Sequence, residues 1–212
     1  MSAASRSSAR TRHPPDADPT IAAYERYARR YAIAVDPMPS AATARGLHRL
    51  VEQLPAGSRV LEIGSGPGWD ADYLETAGIG VLRTDPTAAF RAVQAERGKA
   101  VEALDIAAGD IAGRHPAIVM LAVIQHIARQ RVRSVLAKLG GALAPRGLLL
   151  LSHPLGDRDL WEHGTSGDYR VVQWSVEAMD EALAQADFMV EWSETDDGEG
   201  GAWRWLLARR GS

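Results

Sequence analysis

Val60-Leu61-Glu62-Ile63-Gly64-Ser65-Gly66-Pro67-Gly68 is the stretch on which the fold of this chain turns. The apolar run Val60 to Ile63 reads as a buried strand, and it breaks into glycines at every second position, Gly64, Gly66 and Gly68. A helical stretch, Trp69 to Thr76, follows. A strand that turns sharply into a helix aims unpaired backbone N–H groups at whatever sits above the turn. Glycine allows positive φ there and leaves no Cβ to hold a ligand away. The next apolar run, Ile79 to Leu82, leads to Asp85, about twenty residues beyond the first glycine. An acidic residue at that distance, ending the neighbouring parallel strand, can hydrogen-bond ribose hydroxyls. These residues together predict a nucleoside-bearing cofactor.

The spacing separates two cofactor classes. A dinucleotide fingerprint reads G-x-G-x-x-G and brings the backbone against a pyrophosphate. Here the pattern is G-x-G-x-G, with Glu62 two residues ahead of the first glycine. A carboxylate at that point repels a pyrophosphate but suits a cationic group, met directly or through water. Residues 58–90 resemble motif I and the following acidic strand end of class I S-adenosylmethionine-dependent methyltransferases. That resemblance covers roughly residues 40–210. It implies S-adenosyl-L-methionine as cofactor and a Rossmann-like methyltransferase fold.

Composition narrows the class. A chain of 212 residues with 46% apolar content can bury one substantial core, so one domain is expected. The net charge of −3 and a pI near 6.1 supply no global basic field for nucleic acid or an anionic membrane. With no cysteine, disulfides, metal–thiolate sites and cysteine nucleophiles are excluded, which fits a cytoplasmic enzyme. No apolar stretch is long enough to span a bilayer. His126, His153 and His163 fall on different elements, so no metal site is expected.

Along the chain, residues 1–20 are rich in Ser, Ala, Arg and Pro, lack the apolar core of a secretory signal, and read as a disordered tail. Residues 21–40 read as an N-terminal cap helix with Tyr24, Tyr27 and Tyr31 on one face, and residues 41–212 as the cofactor-binding methyltransferase domain. The cap helix serves equally as packing for the core or as a lid over the site, the role such helices take in the resembled family. Short apolar strands then alternate with amphipathic helices, which predicts a doubly wound, mostly parallel α/β sheet with helices on both faces. The strands are placed at Val60–Ile63, Ile79–Leu82, Ala100–Leu104, Ala117–Val123 and Leu148–Ser152, with a final antiparallel hairpin at Phe188–Ser193 and Trp203–Ala208. The resemblance implies the seven-stranded order 3-2-1-4-5-7-6. Residues 153–173 are polar and without period, and read as a long loop with a task of its own.

Ligands of open α/β sheets sit beyond the carboxyl ends of the strands. Gly64, Ser65, Gly66 and Gly68 are therefore expected around the methionine part of the cofactor, with Glu62 fixing the loop or meeting the ammonium. Asp85 is expected on the ribose. By resemblance, Asp105 accepts from the adenine amino group and Ile106 packs on the adenine face. Asp110 rivals Asp105, but leaves less chain before the next strand. Trp69 either walls the cofactor or packs, and Leu121 closes strand four beside the transferred methyl. His126 and His153 are the candidate bases, since imidazoles titrate near neutrality, although each also has an ordinary structural reading. Tyr27, Tyr31, Trp161, Tyr169 and Arg170 are candidate acceptor-binding residues. Arg170 either clamps an anionic acceptor or ties down its loop.

The expected activity is methyl transfer from S-adenosylmethionine to an oxygen or nitrogen of a compact, small-molecule metabolite, by a monomer or homodimer with no membrane partner. The (Asp/Asn)-Pro-Pro-(Tyr/Phe) motif of amino-methylating enzymes for nucleobases or protein glutamine is absent at residues 121–126. Two rivals remain. One is an RNA methyltransferase, suggested by the arginines of residues 6–12 and 129–133 and opposed by the acidic balance. The other is a non-methylating protein that keeps the fold for binding or another reaction.

Overall fold

The computed structural model describes residues 18–198 and 201–211. Its chain order is α1 (Pro19–Ala34), α2 (Ala41–Glu52), β1 (Arg59–Ile63), α3 (Trp69–Thr76), β2 (Gly80–Thr84), α4 (Ala88–Ala95), β3 (Val101–Glu102) and β4 (His115–Met120). A single 3₁₀ turn (Ile124–His126) then leads to α5 (Arg129–Ala142), β5 (Leu143–Pro154), β6 (Asp159–Gly164), β7 (Gly167–Val172), α6 (Val176–Gln185), β8 (Phe188–Gly198) and β9 (Gly201–Arg210). The tail expected over residues 1–20 lies outside the described residues up to residue 17; from Pro19 onward the chain is already helical.

The main sheet has seven strands in the order β3-β2-β1-β4-β5-β9-β8. The pairings β1–β2, β1–β4, β2–β3 and β4–β5 are parallel, and β9 is antiparallel to both β5 and β8. The expected sixth and seventh strands are β8 and β9, so the predicted order holds. The strands are nearly continuous in apolar residues because helices cover both faces. Leu61, Ile118, Leu149, Leu151 and Leu206 pack toward α5 and α6. Their neighbours Val60, Val119, Leu150 and Leu207 pack toward Leu47 and Leu50 of α2 and Leu74 of α3. That alternation has a functional consequence. On β5, residues 148, 150 and 152 share the α2 face, while 149, 151 and 153 share the α6 face.

One expectation is corrected. Residues 153–173 are not an irregular loop: β6 and β7 form a separate two-stranded antiparallel hairpin, from Asp159↔Val172 to Gly164↔Gly167. Its side chains are mostly exposed or half-buried, so no apolar period marked it in the sequence. A two-stranded ribbon is marginal alone. Here α1 supports it, with Arg26 donating to the Ser166 carbonyl (2.6 Å) and the Arg170 amide donating to Thr20 Oγ1 (3.1 Å). The third strand shrinks to two residues, and β5 begins five residues early. A register shift between His115 and Ala117 absorbs the Pro145-Arg146-Gly147 segment expected as a turn.

Candidate active site

The three glycines of the loop after β1 all take positive φ: +69° at Gly64, +53° at Gly66 and +88° at Gly68. Their neighbours differ. A Cβ at Gly64 would run into the Val123 side chain, and one at Gly68 into the Gln94 amide and the Arg83 guanidinium. A Cβ at Gly66 would meet no protein atom within 4 Å. Gly64 and Gly68 are thus required by packing, whereas Gly66 keeps a face of the backbone bare toward open space. The loop is braced from behind. Gln94 of α4 donates to Ser65 Oγ (3.0 Å) and to the Gly66 carbonyl (2.9 Å). Arg83, 2% exposed, donates to Gln94 and the Gly68 carbonyl and pairs with Asp72 (2.7 Å) and Glu75 (2.8 Å).

A cavity of about 560 Å³ opens over this loop, within the size range of ligand sites. Asp85, at the end of β2, sits on its wall with its carboxylate accepting from the amides of Gly66 (2.8 Å) and Thr87 (2.7 Å). Burial raises its pKa even so, because these bonds only partly replace water. Asp105 and Ile106 also line the cavity, and Asp105 accepts from the Ala107 amide (2.8 Å). Its rival Asp110 is exposed and is not among the lining residues. Glu62 lies beneath the loop rather than on the wall, 4% exposed, with Oε2 lacking a hydrogen-bond partner among the described residues. Burial pushes its carboxyl up to about 8. Asp70, in the first turn of α3, does reach the cavity, and burial holds its carboxyl up at about 6.

Helix α1 and the 3₁₀ turn complete the wall. Tyr24, Tyr31 and Phe90 pack edge-on or tilted, with ring centroids 5.6–6.0 Å apart. His126 Nδ1 lies 2.7 Å from the Arg170 carbonyl, which can only accept, so Nδ1 carries the proton. Nε2 is then a lone pair, and it accepts from the Tyr24 hydroxyl at 3.1 Å. Burial lowers the pKa of His126 and raises that of Tyr24, so both are neutral near pH 7. The helix is further tied down by Glu25. Its carboxylate accepts from the amides of Ala88 (2.6 Å) and Ala89 (2.9 Å), capping α4 where Thr87 makes no side-chain cap.

Several expected site residues lie elsewhere. His153 is fully buried on the α6 face of β5, opposite Arg204, and does not line the cavity. Its Nδ1 faces the Pro154 carbonyl and burial lowers its pKa to about 4, so it is a structural histidine and not a base at the crevice. Strand parity decides this, for Ser152 occupies the cavity side instead. Gly68 supports the loop without lining the cavity. The Arg170 guanidinium is held by Asp159 in a two-bond pair (2.9 Å each), which ties the hairpin together and leaves no clamp for an anion. Trp161 is exposed on the hairpin with that guanidinium 5.7 Å from its ring centroid. Tyr27 and Tyr169 line a smaller neighbouring cavity of about 250 Å³ between α1 and the hairpin turn, and Tyr31 borders both. Gly64, Ser65, Gly66, Trp69, Asp85 and Leu121 do line the main cavity. Among the described residues no group of three or more acidic or histidine side chains is placed to hold a metal, and no helix is long and apolar enough to cross a membrane.

Sequence reasoning missed the Tyr24 hydroxyl, Asp70, Ser152, Trp203 and Trp205. The two tryptophans stand two residues apart on β9, so they share a face, and Trp205 Nε1 donates to Thr43 Oγ1 of α2 (3.1 Å). Their spacing was the available signal.

Residues 24–192 match the family model described as a methyltransferase domain. A comparison with curated protein sequences finds no match. Among solved structures, the DhpI–SAH complex superposes with a TM-score of 0.72 at 21% identity, covering 91% of this chain and 95% of that one. A Burkholderia thailandensis 1,6-didemethyltoxoflavin-N1-methyltransferase, with 1,6-didemethyltoxoflavin and S-adenosylhomocysteine bound, gives 0.65 at 20% identity, over 81% of this chain and 79% of that one. The magnesium protoporphyrin IX methyltransferase of Synechocystis PCC 6803, with bound SAH, gives 0.69 at 16% identity, over 90% and 98%. These likenesses establish the fold, which is that of class I methyltransferases. The family match spans well over half of the chain: this protein belongs to the methyltransferase-domain family and is a methyltransferase enzyme.

Proposed function

We propose that the protein transfers a methyl group from S-adenosyl-L-methionine to an oxygen or nitrogen atom of a compact small molecule. The observation that carries this reading is the bare face of Gly66, opening into the same cavity as the buried Asp85 carboxylate. The residues present fit the cofactor. Asp85 would take the ribose hydroxyls, since its two oxygens keep lone pairs beyond those given to Gly66 and Thr87. Asp105 and Ile106 would meet the adenine, and Trp69 and Leu121 would wall the methionine part. When bound, S-adenosylmethionine supplies an electrophilic methyl on a sulfonium. The solved relatives that hold SAH or S-adenosylhomocysteine support this choice.

The protein's own work is chiefly alignment and exclusion of water, the main needs of an in-line displacement. Helix α1 closes the cavity through the Glu25 cap and the Thr20–Arg170 bond. The Tyr24 oxygen keeps a free lone pair toward the cavity, and its own proton is already directed at His126 Nε2. An acceptor that must lose a proton can give it to the Tyr24 oxygen while Tyr24 passes its proton to His126. His126 therefore acts through Tyr24 and not as the direct base its position in the sequence suggested. A cavity that no lysine or arginine lines among the described residues argues against an RNA backbone as acceptor. Incubation with methyl-labelled S-adenosylmethionine and a panel of small metabolites tests the reading. It predicts a labelled product heavier by one methylene and S-adenosylhomocysteine in equal amount; S-adenosylhomocysteine without any methylated product refutes it.

A further inference from the structure

The wall of the main cavity carries charge of one sign. Among the described residues Asp18, Asp36, Asp70, Asp85, Asp105 and Asp196 line it, and no lysine or arginine does. Composition does not explain this, since 24 basic residues nearly balance 27 acidic ones over the chain. The basic side chains around the cavity are committed elsewhere. Arg91 donates to the carbonyls of Asp85 and Pro86 (2.8 Å each), Arg170 holds Asp159, and Arg45 closes on Glu194.

Asp18 caps α1, accepting from the Thr20 amide (2.8 Å), and the other five carboxylates fall into two groups. Asp70, Asp85 and Asp105 surround the glycine loop, where the cofactor is placed above. Asp36 and Asp196 belong to the rest of the wall, an arm lined also by Trp203, Trp205 and Thr43. In the β8–β9 ladder Asp196 pairs directly with Trp203 and Glu194 with Trp205, so all four project from one face of the sheet. Arg45 neutralises Glu194 and leaves the Asp196 carboxylate on the cavity wall. The two indole rings lie 6.3 Å apart at 37°, and the Trp205–Thr43 hydrogen bond fixes one of them. Indole faces attract cations through the ring quadrupole, and flanking carboxylates add attraction of the same sign. Among the described residues an anion entering this arm meets no lysine or arginine on the wall, and at the first turn of α2, which borders it, the Ser40 hydroxyl already accepts from the Thr43 amide (3.2 Å).

We infer that the molecule seated in this arm carries a cationic group, an ammonium or a guanidinium, on an apolar body, and that anionic acceptors are turned away. The identification of that molecule as the methyl acceptor rests on the function proposed above; the charge preference is a property of the arm itself. The cation is a recognition handle, so the methylated atom lies elsewhere on the same molecule, toward Tyr24 and Leu121.

Three probes of one shape test the inference by calorimetry: tyramine, 4-ethylphenol and 4-hydroxyphenylacetate, titrated into protein saturated with S-adenosylhomocysteine. Tyramine is expected to bind at least about tenfold more tightly than the carboxylate, with the neutral phenol between them. Asp196→Asn, at an exposed hairpin position, and Trp203→Leu, at a half-buried one, are expected to erase most of that preference while leaving S-adenosylhomocysteine affinity unchanged. The inference is overturned if the carboxylate binds as tightly as tyramine. It is equally overturned if tyramine fails to bind at millimolar concentration, or if neither substitution alters the preference. The same series on protein without S-adenosylhomocysteine keeps the two readings apart. There the preference persists even if the cofactor assignment fails.

Discussion

Glu62 offers a stability measurement that reads the buried charge beneath the glycine loop. Its carboxyl is pushed from 4.5 up to about 8 by burial, with the nearby carboxylates of Asp70 and Asp85 adding to the rise and a Ser65 hydrogen bond and Arg83 opposing it. Below about pH 4.5 the group is protonated in both folded and unfolded chains and pH has no leverage through it. Between about pH 4.5 and 8 the folded chain keeps a proton the unfolded chain has released, so stability falls as pH rises. Above about pH 8 both states are ionised and the full penalty is present. A span of about 3.5 pH units at about 1.4 kcal/mol each gives a penalty of about 5 kcal/mol. Glu62→Gln keeps the shape and removes the titration. The variant should match the parent at the acid end and exceed it increasingly above pH 5. For a chain of this size that gap corresponds to a melting-temperature difference of roughly 10–20 °C near pH 9. Thermal and urea unfolding of the two proteins across this range measure it. Asp70 titrates in both proteins and largely cancels in the difference. Parallel curves, or a parent that gains on the variant as pH rises, would refute the reasoning.

Other consequences follow from the loop and from α1. Gly64→Ala and Gly66→Ala should each cost about 1–2 kcal/mol for a left-handed residue, but Gly64→Ala should cost more because its methyl meets Val123. Gly66→Ala should instead lose S-adenosylhomocysteine binding while staying folded; the opposite ranking would reverse the roles assigned to them. Glu25→Ala removes the α4 cap and should cost about 0.5–2 kcal/mol, with faster hydrogen exchange in α1, and unchanged exchange would show that the contact does not hold the helix down. Tyr24→Phe should lower kcat by about a hundredfold at unchanged S-adenosylhomocysteine affinity. Equal kcat at every pH would remove Tyr24 and His126 from proton transfer.

The parts legible in the sequence were those set by local rules. The glycine spacing, Asp85 at its distance, and the apolar strands named the fold and the glycine-loop end of the cavity, because backbone conformation and burial leave direct marks on composition. Trp69–Thr76 was bounded correctly since Gly68 starts that helix and Gly78 follows it closely. What escaped depends on tertiary partners. His153 and Ser152 are adjacent in sequence, and only the pairing of β5 with β9 decides which one faces the cavity. The β6–β7 hairpin is mostly polar and exposed, so its order comes from α1 and not from its own pattern. His126 was found from its place after β4, but the Tyr24 hydroxyl that occupies its Nε2 comes from 102 residues away.

The central claim is that the hollow above Gly66 and beside Asp85 receives the adenosyl group. Calorimetric titration of S-adenosylhomocysteine into the parent protein and into Asp85→Ala tests it most directly. The account predicts saturable one-to-one binding by the parent and a loss of about 1–3 kcal/mol in the variant, with the variant's fold checked by circular dichroism. No binding by the parent at millimolar ligand, or equal affinity in a folded variant, would contradict it.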